Sequence, residues 1–221
     1  MNIQDCTIRI HGEDLLPLPS GGLSWPTRRI LCVSDLHLGK SDRIARRGGT
    51  LLPPYETRDT LARLEADIAV TAPQTVICLG DSFDDRMAAD SLDDDEVMWI
   101  NRLQAGRRWI WIEGNHDPGP MGLAGTHLAE LHEGALHFRH IAQTEASGEI
   151  SGHFHPKAEV SVRGRLVRRR CFLFDTSRVI LPAYGTYTGG LPWTAPELRA
   201  LMARDAMAAL LGDPVRILPL P

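Results

Sequence analysis

Three short apolar runs stand out: "ILCV" from Ile30, "VICL" from Val76 and "WIWI" from Trp109. None alternates with polar residues, which marks strands buried on both faces. They predict strands over "RRILCVSD", "TVICLGD" and "RRWIWIEGN", ending at Asp35, Asp81 and Asn115. Between the first two lies "YETRDTLARLEADIAVTA", where Leu61, Leu64 and Ile68 recur at three- and four-residue steps and Pro73 follows as a stop. "DDDEVMWINRLQA" predicts a second helix, with acids in its first turn opposing the helix dipole. Strand–helix–strand order implies parallel strands joined by crossover helices.

The flanking segments alternate instead. Cys6–His11 reads as a strand, and "GED" turns it into a second short one. "GALHFRH" and "GEISGH" add two short strands further on. From Val160 to Leu181 strand and turn alternate, with Arg163-Gly164-Arg165 as a hairpin turn. A short helix starts near Pro196, and "VRILPLP" forms the last segment. The expectation is a mixed α/β sandwich forming a single domain over residues 1–221, without internal repeats.

Composition narrows the class. Hydrophobic residues make up 43% and charged residues 24% of 221, as in an ordinary globular protein. No apolar run approaches the ~20 residues of a membrane span. No basic-then-apolar leader opens the chain, and Cys6, Cys32, Cys78 and Cys171 are scattered without a CxxC pair. Reduced thiols in a cytoplasmic protein are expected. The net charge of −4 does not point to nucleic acid, but its distribution is uneven. Asp84–Glu96 is strongly acidic, whereas Arg43, Arg46 and Arg47 form one basic cluster and Arg163, Arg165, Arg168, Arg169 and Arg170 another. Such local patches can track a phosphate backbone.

The strand ends carry the chemistry. "SDLHLG", "GDSFDD" and "GNHD" each follow an apolar run, and "GHFH" follows "EIS". In α/β sheets ligands gather at the carboxyl ends of strands. Asp35 and His37, Asp81, Asn115 and His116, and His153 and His155 thus form a set of carboxylate, amide and imidazole donors. Two divalent ions need about eight protein donors and leave positions open for water and substrate. Oxygen and nitrogen donors without thiolate suit Mn, Fe or Zn rather than Ca. Asp81 is placed to bridge the two ions.

The order Asp35-x-His37, Gly80-Asp81-x-x-Asp84, Gly114-Asn115-His116-Asp117, a later histidine, then Gly152-His153-x-His155 resembles the calcineurin-like metallophosphoesterases. The resemblance implies a four-layer α/β/β/α sandwich of two mixed sheets flanked by helices, with a dimetal site at the strand ends. Metal A would take Asp35, His37, Asp81 and His155; metal B would take Asp81, Asn115, His153 and one further histidine. His127, His132, His137 and His140 are the available choices. In "ALHFRH" the side chains of Leu136, Phe138 and His140 share a face and His140 falls at the strand end, so we assign His140 and read His137 as structural. By the same resemblance His116 is no ligand but would donate a proton to the leaving oxygen or stabilise the transition state, oriented and polarised by Asp84, whose other reading is a helix N-cap.

A narrower resemblance, carried by "SDLHLGK", Arg43, Gly48-Gly49, "EISGHFHPKAEV" and "LPAYGTYTGG", is to the ligase-associated DNA damage response endonuclease (PdeM) group. It implies DNA as substrate. It also implies partnership with an ATP-dependent DNA ligase, an exonuclease-like protein and an Lhr-type helicase. The expected reaction is phosphodiester cleavage by in-line attack of metal-activated water, with manganese as the first choice of ion. Lys40, Arg43, Arg46 and Arg47 follow Asp35 and His37 directly and are expected to bind substrate. The alternatives are a small-molecule nucleotide phosphodiesterase or phosphatase, and a non-catalytic member of a repair complex. Asp85 stands where protein phosphatases of the family carry Arg, which argues against that class.

Overall fold

A computed structural model describes residues 6–49, 52–90, 92–117 and 122–221. The first half of the chain runs β1 (Ile8–Ile10), β2 (Glu13–Pro17), β3 (Leu23–Trp25), β4 (Ile30–Ser34), α1 (Lys40–Arg46), α2 (Glu56–Thr71), β5 (Thr75–Leu79), α3 (Arg86–Asp90), α4 (Asp94–Gln104), β6 (Arg108–Ile112) and β7 (Thr126–Leu128). These strands form one sheet in sequence order. β1 to β4 pair antiparallel, whereas β4, β5, β6 and β7 are parallel.

The second half contributes β8 (Glu130–Glu133), β9 (Leu136–Arg139), β10 (Glu149–Ser151), β11 (Lys157–Val162), β12 (Arg165–Phe174), β13 (Arg178–Ile180), α5 (Pro196–Leu201), β14 (Met207–Leu210) and β15 (Arg216–Pro219). Its sheet order is β15-β14-β12-β13-β10-β9-β8, with β11 paired to β12 alone. β9, β10 and β13 are parallel to one another; the rest are antiparallel.

The apolar runs explain the layering. In β4, Ile30 and Cys32 enter the core between the sheets, with Ile77, Ile110, Phe138, Ile150 and Phe172. Leu31 and Val33 point the other way, against Leu61, Leu64 and Ile68 of α2 and Ile100 and Leu103 of α4. A strand with apolar side chains on both faces must be covered twice. The outer face of the second sheet, Cys171, Leu173, Ile180 and Ala208, is covered by Trp193, Leu198 and Met202 around the short α5. Helices, two mixed sheets and the layer around α5 thus form the four-layer α/β/β/α sandwich expected from the sequence.

Local chemistry sets the ends. α2 starts with Glu56 and Asp59 in its first turn and stops at Ala72, which is left-handed and donates its N–H to the Ile68 carbonyl. At the start of α4, the Glu96 side chain accepts the Asp93 N–H at 3.2 Å. The Arg163-Gly164 turn joins β11 to β12 with both residues at positive φ. The first hairpin turns one residue earlier than "GED" suggested, at His11-Gly12. All four cysteines are free thiols. Among the described residues, no helix is long and apolar enough to cross a membrane.

Candidate metal centre

Six strands deliver the site. β4, β5 and β6 end just before Asp35, Gly80-Asp81 and Gly114-Asn115; β9 and β10 end just before His140 and Gly152-His153, and β13 leads into the Leu181–Gly185 segment. Because each set is parallel, these ends lie along one edge of the sandwich. That last segment props the first loop from behind: Tyr184 N–H donates to the Ser34 carbonyl at 2.8 Å and Gly185 N–H to the Asp35 carbonyl at 3.1 Å.

The local backbone is unusual. Asp35, His37, Asp81, His153 and His155 all have positive φ, between 45° and 70°. This left-handed region is uncommon for side-chain-bearing residues, although Asp and His enter it more readily than most. Five such residues around one point mark a site where the fold holds the backbone against its local preference. Gly152 is required for a different reason. A Cβ there would lie 1.7 Å from Ser34 Oγ and 2.5 Å from Asp35 Oδ2, so only glycine lets this loop cross β4.

Two groups of donors converge. Asp35, His37 and His155 have ligand atoms within 4.8 Å of one another, as do Asp81, His140 and His153. In the first group, Asp35 Oδ2 is already engaged, accepting from Ser34 Oγ and from the His153 N–H at 3.0 Å. Asp35 Oδ1 and His155 Nε2 lie 3.0 Å apart, and neither of them nor His37 Nε2, all buried, makes a well-formed hydrogen bond. Unsatisfied buried polar atoms are costly, and several facing one point are what a cation would satisfy. In the second group, His140 Nδ1 donates to the Leu79 carbonyl at 2.9 Å, which leaves Nε2 facing inward. There it lies 3.0 Å from Asn115 Oδ1, 3.3 Å from His153 Nδ1 and 3.4 Å from Asp81 Oδ2. An outer hydrogen bond to a backbone carbonyl is the usual support of a metal-binding imidazole.

The electrostatics agree. Burial raises the Asp81 carboxyl, but His140 and the His116 N–H outweigh it and hold the pKa at about 2. Burial lowers His140, yet Asp81 and Asp35 push it up to about 9. Asp35 is also held below its usual value, because His155 and His140 overcome its burial. The pocket favours positive charge at its centre, and the donors present fit divalent ions.

The other histidines lie elsewhere. His137 Nε2 is 3.0 Å from Glu130 Oε2 and its ring stacks on His132, while His127 stacks on Trp111.

Residues 28–175 match the family model of the calcineurin-like phosphoesterases. The chain belongs to that family. It is a metal-dependent phosphoesterase. Among solved structures it is similar to the Pseudomonas putida nuclease MPE, at 30% identity and a TM-score of 0.72, over 96% of this chain and 98% of that one. No curated protein matches it.

Around the phosphoesterase centre, two expectations change form. His116 meets the backbone of Asp84, not its carboxylate: His116 Nδ1 donates to the Asp84 carbonyl oxygen at 2.8 Å. The Asp84 carboxylate is fully buried and turns instead to His37 Nδ1 at 2.8 Å, Lys40 Nζ at 3.2 Å and an Arg43 guanidinium nitrogen at 2.6 Å. Arg46 pairs with Asp42 and Asp85. Three of the four cations expected to meet substrate therefore already hold carboxylates, and Arg47 lies exposed just after α1. The sequence could not show the pairs with Asp84 and Asp85, because those acids are 39 to 44 residues away.

Asp117 was visible in "GNHD" without a role. Its Oδ2 accepts the Ser82 N–H at 2.8 Å and the Phe83 N–H at 3.2 Å, tying the loops after β5 and β6 together. Burial pushes this carboxyl up to about 6.

Proposed function

We propose that the chain cleaves phosphodiester bonds in DNA with two divalent ions, manganese in the active form. Asp35, His37 and His155 would hold one ion and Asn115, His140 and His153 the other, with Asp81 between them. The observation that carries the nucleic-acid reading is the similarity to a structure described as a nuclease over nearly the whole of both chains. The ions, when bound, polarise the phosphoryl oxygens and lower the pKa of water.

The protein's own groups do the rest. His116 is partly exposed, its Nε2 4.0 Å from Asp81 Oδ2. With Nδ1 fixed on the Asp84 carbonyl, a protonated His116 presents Nε2–H to the leaving oxygen. Asp84 holds His37 in place. The motifs shared with the ligase-associated group support a place beside an ATP-dependent DNA ligase, an exonuclease-like protein and an Lhr-type helicase.

The test is hydrolysis of bis-p-nitrophenyl phosphate beside p-nitrophenyl phosphate, then of single- and double-stranded DNA, with manganese added. Faster turnover of the diester and cleavage of DNA are expected. Preference for the monoester with DNA left intact would replace this reading by a phosphatase.

A further inference from the structure

The geometry points to a basic groove between the β11–β12 hairpin and the Gly189–Pro192 segment as the seat of the phosphodiester backbone of a DNA strand entering the metal centre. This inference rests on the phosphodiesterase reading above. The groove has a volume of about 740 Å³ and is lined by Lys157, Glu159, Arg168, Arg169, Arg170 and Gly190, among others.

One wall of the groove adjoins the loop that carries His155. The Leu191 N–H donates to the Phe154 carbonyl and the Lys157 N–H to the Leu191 carbonyl, so this segment runs alongside the loop bearing His155. At Gly190 a Cβ would fall 2.1 Å from the His155 carbonyl oxygen. A strand passing His155 on its way from the centre would come next to this groove.

Most of its charge is not paired with carboxylates. Lys157 donates to the Thr188 carbonyl, and Arg170 to the Ala183 and Tyr184 carbonyls. These contacts fix the side chains without neutralising them. Arg168 pairs with Glu159 at 2.6 Å, the one carboxylate in the lining. Among the described residues nothing pairs with Arg169. Four cationic residues thus contribute to the lining beside one acid. Burial and the charges of Arg170 and Arg168 lower the Lys157 pKa, as expected where cations outnumber the single acid. The cations of α1, by contrast, are mostly neutralised by Asp42, Asp84 and Asp85.

The extent fits a polymer better than one phosphate. Arg168 and Arg170 share a strand face and stand ~6.8 Å apart along it, and Lys157 is the cross-strand partner of Arg170. A row of cations on rigid strands follows a backbone without reading bases.

The experiment measures binding of a fluorescent single-stranded DNA to the full chain in chelator over a salt series. The Arg168→Ala/Arg169→Ala variant should bind about tenfold more weakly, with a salt slope reduced by up to about 1.4. Arg102→Ala, on the far helix α4, should bind as the wild type does. Melting curves verify that each variant folds. Unchanged affinity and slope in the double variant overturn the groove. So does a loss seen only with Arg46→Ala/Arg47→Ala, which would place the strand on α1. Hydrolysis of bis-p-nitrophenyl phosphate by the wild type is scored separately. Its absence beside groove-dependent DNA binding retires the phosphodiesterase reading and leaves the groove standing.

Discussion

His37 Nδ1 and Asp84 Oδ1 lie 2.8 Å apart with both side chains almost wholly buried. The contact turns His37 Nε2 toward Asp35 and His155, and Lys40 and Arg43 hold Asp84 in place. Outer partners of this kind are typically worth about 10- to 100-fold in metal affinity. Asp84→Asn should weaken manganese binding by that order in equilibrium dialysis, while circular dichroism stays native. Unaltered affinity would leave Asp84 as a structural anchor for α1 alone.

His116→Ala should act differently. A proton donor contributes about 10²–10⁴-fold to turnover. Hydrolysis of bis-p-nitrophenyl phosphate should fall by that factor with two ions per chain retained by elemental analysis. Loss of an ion would make His116 a ligand.

Asp81 and His140 give the metal-free chain a pH signature. The Asp81 carboxyl falls from 3.8 to about 2, so its stabilising share is present above 3.8 and fades as pH drops toward 2. His140 rises from 6.5 to about 9, so its share is present below 6.5 and fades as pH climbs through 9. The pair therefore stabilises most between about pH 4 and 6.5. Urea midpoints in chelator should separate the wild type from His140→Gln most at pH 5 and least at pH 9.5. A gap that widens with pH would contradict the assignment.

Gly152→Ala tests the crossing of the two loops. The added methyl meets Ser34 Oγ and Asp35 Oδ2, and overpacking at a tight site costs about 1–3 kcal/mol. Displacement of Asp35 should also weaken binding of the ion it would help to hold. The variant should melt lower than the wild type, and added manganese should raise its melting temperature less.

The strand-end motifs were legible because an apolar run that breaks at Gly or Asp records both a buried strand and its exit. Leu61, Leu64 and Ile68 announced α2 in the same way. α1 was not legible: among its seven residues only Ser41 is buried, so no periodicity marks it. β14 carries "MAAL", a helix-favouring composition, yet pairing between β12 and β15 makes it a strand. The partners of Arg43 and Asp84 depend on three-dimensional proximity across 41 residues, which no local pattern encodes.

The division of the donors between two sheets has a consequence for folding. Asp35, His37, Asp81 and Asn115 follow strands of the first sheet, and His140, His153 and His155 follow strands of the second. Neither half alone can assemble either donor triad. High-affinity metal capture must therefore wait until the sheets have docked across their shared core. During refolding, the appearance of tightly held metal would time that docking, and the ions would stabilise only chains that had completed it.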